Sequence, residues 1–263
     1  MQAIYKVAVI GGGAMGQGIV SLNARQGIPV VVKEINNELA QKALKKVHKK
    51  FDSWVAKGKM LADNAEDRKM LVQSTSDFDD LTDVDLIIEA VFETMDVKKK
   101  IFKELDTILP EHVIFATNTS ALSITEMATA TNRPGKVAGL HFFNPATFMP
   151  LVEIISGEKT SKETVDLLED FAKNSLGKVP IRVKEYPGFL VNRLLMPYLN
   201  EAILLLSETT LPLEKIEEEV TRFGWPMGPY TLLDFLGIDV AAQVTKIFEE
   251  GYGDRAEAPP LIF

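Results

Sequence analysis

The sequence predicts a doubly wound, mostly parallel α/β sheet followed by a smaller all-α domain. Three observations carry this. Short continuous runs of Val, Ile and Leu alternate with amphipathic stretches up to about residue 184, as expected of strands buried on both faces and joined by helical crossovers. A glycine-rich turn follows the first of those runs. After the breaker pair Pro187-Gly188 no strand pattern recurs. The expected division is therefore 1–184 and 185–263.

Taken in order, the strands are expected at 6–10, 30–34, 71–75, 84–90, 113–117, 137–141, 151–155 and 179–183. Helical patterns separate most of the early ones. Beyond residue 185, 189–207 reads as a long apolar helix and 213–223 as an amphipathic one, with "EKIEEE" on its wet face. "GWPMGP" is a turn, and 231–250 reads as one or two further helices.

Bulk chemistry narrows the function. The chain has 37 acidic and 29 basic residues, a formal net charge of −8, which argues against a nucleic-acid partner. It has no cysteine, so disulfides, thiolate nucleophiles and thiolate metal sites are excluded. Its three histidines, His48, His112 and His141, are scattered, and no metal site is expected. No apolar run reaches the ~18 residues needed to span a bilayer, so no membrane partner is expected. Strand-like sequence begins within a few residues of Met1, leaving no room for a signal peptide, and the expected address is cytoplasmic.

The glycine turn is "VAVIGGGAMGQGI". Gly11, Gly13 and Gly16 fit G-x-G-x-x-G between a strand and a helix, and Glu34 ends the next strand 18 residues after Gly16. In that context Gly11 makes the tight turn, Gly13 admits a pyrophosphate close to the backbone, and Gly16 lets helix and strand touch. With Ala14 and Met15 they form the expected phosphate-binding turn of a Rossmann-like domain. Glu34 would accept hydrogen bonds from the adenosine ribose and repel a 2′-phosphate, which favours NAD over NADP. Lys33 beside it weakens that inference. The bland alternative is a tight turn with an incidental surface acid.

A second group of polar residues sits at strand ends. Asn118 and Ser120 follow one strand in "FATNTSAL". His141 ends the next in "GLHFFNP", with Asn144 three residues on. Glu153 is embedded in the apolar "LVEII", and Asn192 lies in the first turn of the helix after "PGFLVNR". Ser120 and Asn192 could instead be helix caps, and His141 a core histidine. Glu153 is harder to dismiss, because a lone buried carboxylate is costly without a partner. His141 is its natural partner: a carboxylate on one imidazole nitrogen fixes the tautomer and raises the basicity of the other. Such a dyad beside a nicotinamide suits alcohol oxidation.

These stretches, together with "DLIIEAVFE" and "PMGPYTLLDFLGID", resemble the 3-hydroxyacyl-CoA dehydrogenase family, and they cover nearly the whole chain in order. The resemblance implies NAD-dependent interconversion of 3-hydroxyacyl-CoA and 3-oxoacyl-CoA. It implies His141 as base, Glu153 as its orienting partner, and Ser120 and Asn192 as hydrogen-bond partners of the substrate. Glu93, Lys98, Asn118 and Asn144 would join the glycine turn and Glu34 around NAD. The helical domain would mediate a homodimer. Family members usually continue to a Gly-Arg-Lys…Gly-Phe-Tyr ending, whereas this chain stops at "APPLIF". The expectation is a truncated chain, or the dehydrogenase part of a longer fused fatty-acid oxidation protein.

The stretch 42–59 carries seven lysines in eighteen residues on an otherwise acidic chain. It is either a solvated helix face or an anchor for the phosphates of coenzyme A, with Lys50 and Lys57 the first candidates. A same-fold dehydrogenase of a small hydroxy acid or sugar acid is the neighbouring reading. That enzyme would need an arginine aimed at the substrate carboxylate, and the strand ends offer none. A binding or structural homologue that has lost turnover is the third reading; intact Ser120, His141, Glu153 and Asn192 argue against it.

Overall fold

The computed structural model describes residues 3–256 and 259. The chain divides into two compact units, Met1–Glu185 and Tyr186–Phe263. In the first, eight strands form one sheet: β1 Val7–Ile10, β2 Val30–Lys33, β3 Val72–Thr75, β4 Leu86–Glu89, β5 Ile114–Thr117, β6 Val137–Phe142, β7 Leu151–Ser156 and β8 Val179–Lys184. Their spatial order is β3-β2-β1-β4-β5-β6-β7-β8. The chain thus winds outward from β1 in both directions, and the reversal falls between β1 and β4. β1 to β6 are parallel, β7 runs antiparallel to β6, and β8 is parallel to β7.

The helices of this unit are α1 Ala14–Arg25, α2 Asn37–Ala56, α3 Ala62–Met70, α4 Met95–Ile108, α5 Ile124–Ala128 and α6 Lys162–Asp170. Local chemistry starts several of them. Asn36, Ser123 and Ser161 each accept an N–H from the first turn of α2, α5 and α6. That assignment removes one alternative for Ser120: the cap of the short helix after it is Ser123. β1, β2, β4, β5 and β6 are buried at every position, which explains their unbroken apolar runs. β8 lies at the sheet edge and is only partly buried, and Arg182 and Lys184 blunt its open side.

The second unit is helical: α7 Val191–Glu208, α8 Leu213–Phe223, α9 Pro229–Leu236 and α10 Ile238–Tyr252. α7 begins two residues later than its apolar pattern predicts, because Gly188 and Phe189 both take positive φ, 71° and 55°. Met196, Leu199, Ile203, Leu233, Ala241 and Phe248 form this unit's core. Among the described residues no helix is long and apolar enough to cross a membrane.

Two cations in the first unit fasten segments outside the sheet. Lys178 is buried and donates to the carbonyls of Ala146 and Met149, both at 2.7 Å, which fastens the 144–150 loop; burial, and then Arg25, pushes its pKa down. Arg133 closes the C-terminal end of α4. Its Nε lies 2.6 Å from Asp106, and its guanidinium also donates to the carbonyls of Asp106, Leu109 and Pro110. The side chains of Arg133 and Asp106 are 11% and 3% exposed. Removing one partner of such a pair leaves an uncompensated charge. Arg133→Ala is therefore expected to cost about 3–5 kcal/mol of stability, read by chemical denaturation. A loss below 1 kcal/mol would mean that solvent already shares the bond.

Candidate active site

The site is built where the parallel strands end, beginning at the glycine turn. Gly11 leaves β1 with φ 102°, and a Cβ there would lie 2.7 Å from the Ala90 carbonyl oxygen. A Cβ on Gly16 would lie 1.8 Å from the Gly11 carbonyl oxygen, so only glycine lets α1 start this close to β1. Gly13 differs: a Cβ on it would meet nothing within 4 Å, so its open face is available for close approach of a ligand. Gly13 is the N-cap of α1 and brings no side-chain cap, and the first turn, which opens with Ala14 and Met15, holds no acid. The turn therefore keeps its N–H groups and positive dipole end for an anion. These residues fit a dinucleotide pyrophosphate.

Glu34 follows β2 directly. Its carboxylate accepts the Gly12 N–H at 2.7 Å and its own neighbour's, that of Ile35, at 3.2 Å. Lys33, which weakened the reading of Glu34 from sequence, lies with its ammonium 3.6 Å from the centre of the Phe78 ring. Burial pushes its pKa down against the opposing pull of Glu104, Glu34 and Asp77.

Beyond β4, Lys98 in the first turn of α4 is 1% exposed. Its ammonium reaches both oxygens of Glu89 at 2.8 Å and Glu93 at 3.3 Å. Glu93 in turn accepts the Thr119 hydroxyl at 2.5 Å and the Ser120 N–H at 2.8 Å. Asn118, just past β5, accepts the Phe142 N–H at 2.9 Å and so ties the end of β5 to β6 beside His141.

His141 and Glu153 face each other across the antiparallel β6–β7 pair. The two residues are 4% and 0% exposed. His141 Nδ1 lies 2.7 Å from a Glu153 carboxylate oxygen, and Nε2 lies 3.1 Å from the Ser120 hydroxyl. With Glu153 as a carboxylate, which only accepts, the geometry assigns the proton to Nδ1 and a lone pair to Nε2. Phe143 packs against the imidazole with ring centroids 4.6 Å apart.

Of the residues expected from sequence, Ser120, His141 and Glu153 thus share one hydrogen-bonded row. Glu93 and Lys98 follow β4, Lys98 in the first turn of α4; Asn118 follows β5, and the glycine turn and Glu34 follow β1 and β2. Asn144 opens the loop fastened by Lys178. Asn192 belongs to the second unit, where it is the second residue of α7; no side chain caps that helix, and its N-cap position is Leu190. The lysines of α2 fall on different faces. Lys50 is partly buried 6.0 Å from the Trp54 ring centre, and burial lowers its pKa. Lys57 is the exposed C-cap residue. Lys42, Lys45, Lys46 and Lys49 line a shallow depression with Glu38 and Gln41. Sequence reasoning passed over Glu89, although it ends the buried run "LIIE" just as Glu153 interrupts "LVEII". Thr119 and Lys178 carry no comparable signal.

Comparison with known proteins agrees with this architecture. Residues 6–186 match the family model described as 3-hydroxyacyl-CoA dehydrogenase, NAD binding domain, and residues 188–263 match that of the C-terminal domain. A 3-hydroxybutyryl-CoA dehydrogenase of Clostridioides difficile is 44% identical over 260 residues, covering 98% of this chain and 92% of that protein. The fatty acid oxidation complex subunit alpha of Shewanella amazonensis is 41% identical over 257 residues, but this chain spans only 36% of its length. The crystal structure of (S)-3-hydroxybutyryl-CoA dehydrogenase from Ralstonia eutropha superposes with a TM-score of 0.93 at 37% identity, covering 99% of this chain and 92% of that one. The chain belongs to the 3-hydroxyacyl-CoA dehydrogenase family, with NAD as its cofactor.

Proposed function

We propose that the chain interconverts (3S)-3-hydroxyacyl-CoA and 3-oxoacyl-CoA, in fatty-acid β-oxidation or butanoate metabolism. The observation that carries this reading is the row Ser120–His141–Glu153, in which Ser120 follows β5, His141 stands near the end of β6 and Glu153 lies within β7. When bound, the nicotinamide supplies the hydride acceptor. The rest falls to the chain. The glycine turn and Glu34 hold the dinucleotide, with Glu93, Lys98, Asn118 and Asn144 in support. Ser120 donates to the substrate oxygen, and Asn192 enters as a second hydrogen-bond partner on the strength of its motif. His141 takes the hydroxyl proton at Nε2 during oxidation and returns it during reduction. Glu153 holds the ring and stabilises the imidazolium that forms. Lys50 and Lys57 are proposed to bind coenzyme A phosphates. A homodimer through the second unit is supported by exposed apolar side chains there, Phe223, Phe235 and Ile238 among them. A cytoplasmic setting completes the proposal.

Three experiments test it. Acetoacetyl-CoA should oxidise NADH, followed at the NADH absorbance band, with kcat/KM for NADH clearly above that for NADPH. Glu34→Ala should narrow that preference, and a wild type that prefers NADPH would refute the role given to Glu34.

His141→Gln should lower kcat by at least about 10²-fold while NADH affinity stays near wild type. Glu153→Gln should lower kcat too, because a neutral amide can position the ring but cannot offset its charge. The double variant should be little worse than the worse single, since the two act as one unit. Additive losses would separate them.

Lys50→Ala and Lys57→Ala should raise KM for acyl-CoA and leave KM for NADH alone, with the effect shrinking at high salt. Unchanged kinetics would assign these lysines to the solvated face of α2.

A further inference from the structure

Glu89 has no part in the reaction as described, yet it is as fully enclosed as Glu153. It is 0% exposed at the end of β4, and its partner Lys98 is 1% exposed. One carboxylate oxygen receives the Val91 N–H at 2.6 Å and the Lys98 ammonium at 2.8 Å. The other receives the Lys98 ammonium at 2.8 Å and the Thr117 hydroxyl at 2.6 Å. Burying two charges to stabilise a sheet is a poor use of them: well-packed apolar residues of the same volume often do as well or better. Stability alone is therefore a weak account of this pair.

The hydrogen bonds say what that is. Lys98 spans both oxygens of Glu89, which sets the direction of its remaining contact, to Glu93 at 3.3 Å. Glu93 holds the Thr119 hydroxyl and the Ser120 N–H on its other oxygen. Ser120 meets His141, and His141 meets Glu153. Thr117, which anchors Glu89, also accepts the Thr119 N–H at 3.2 Å. Glu89 therefore grips the 117–120 segment twice, directly through Thr117 and indirectly through Lys98 and Glu93.

We propose that Glu89 is a positioning residue for the reaction: with Lys98 and Glu93 it fixes the segment that presents Ser120 to His141, and it holds Glu93 and Lys98 in place for the dinucleotide. This rests on the catalytic reading given above. Misplacing reacting groups by about 1 Å can cost ~10²-fold in rate. Loosening Glu89 is thus expected to be felt in kcat and in cofactor affinity as well as in stability.

The test is Glu89→Gln beside Arg133→Ala, which breaks a buried pair at the opposite end of α4 and touches none of the catalytic groups. Thermal midpoint, the NADH dissociation constant from its fluorescence, and kcat are measured at a temperature where circular dichroism finds each variant folded. Both variants should melt earlier. Glu89→Gln should also lower kcat by about 10–10²-fold and weaken NADH binding several-fold, whereas Arg133→Ala should leave both at wild-type values. If Glu89→Gln melts earlier but keeps wild-type kcat and NADH affinity, the pair is scaffold and the proposal is overturned. Should Glu89→Gln fail to fold, Thr117→Val decides, since it loosens Glu89 with the ion pair intact; unaltered kcat and NADH affinity would overturn the proposal equally. A wild type inactive on acetoacetyl-CoA would refute the catalytic reading instead, and the NADH arm would still judge Glu89.

Discussion

The architecture of the site depends on one constraint: a carboxylate with no access to water must find a proton donor. Glu153 lies within β7, flanked by apolar side chains on both sides, and the desolvation of such a group costs several kcal/mol unless it is paired. The antiparallel register between β6 and β7 sets His141 directly opposite it. A one-residue slip would turn one of the two to the other face of the sheet. The reversal of direction at β7 thus has a chemical consequence. It lets an acid from the middle of one strand meet a histidine near the end of another, and the second imidazole nitrogen then meets the Ser120 hydroxyl.

Charges elsewhere in the first unit follow the same logic. Glu89 and Lys98 satisfy each other, Arg133 satisfies Asp106 and the carbonyls of Asp106, Leu109 and Pro110, and Lys178 donates to the carbonyls of Ala146 and Met149. Arg133 and Lys178 join segments 27 to 32 residues apart. Lys178, just before β8, fastens the loop that Asn144 opens. Arg133 fastens the far end of the helix whose first turn carries Lys98. Lys178 and the Glu89–Lys98 pair thus stand behind the strand ends of the site, whereas Arg133 braces the opposite end of α4.

The glycine turn works by omission. Two of its glycines are required by backbone proximity, as the short distances to Ala90 and Gly11 show. The third, Gly13, leaves space where a side chain could have fitted, and leaves the start of α1 without a cap. The turn is left open where a phosphate would give α1 the acceptors it lacks, and Glu34 is held against its side by the Gly12 N–H.

Much of this was determined by sequence alone. Eight strands were legible because burial on both faces demands unbroken apolar runs, and the glycine turn because tight strand–helix contact tolerates no side chain. Glu153 stood out because a charge in an apolar run needs a reason. What sequence left open were questions of partner and direction. Ser120 and Asn192 could have been caps until Ser123 and Leu190 were found in those positions. Lys33 could have competed with Glu34 until its ammonium was found on Phe78. Glu89, Thr119 and Lys178 acquire meaning only through residues from 2 to 32 positions away. Hydropathy and spacing report what a residue costs to bury, a local quantity. Which group meets that cost depends on strand order and register, and only the folded chain decides those.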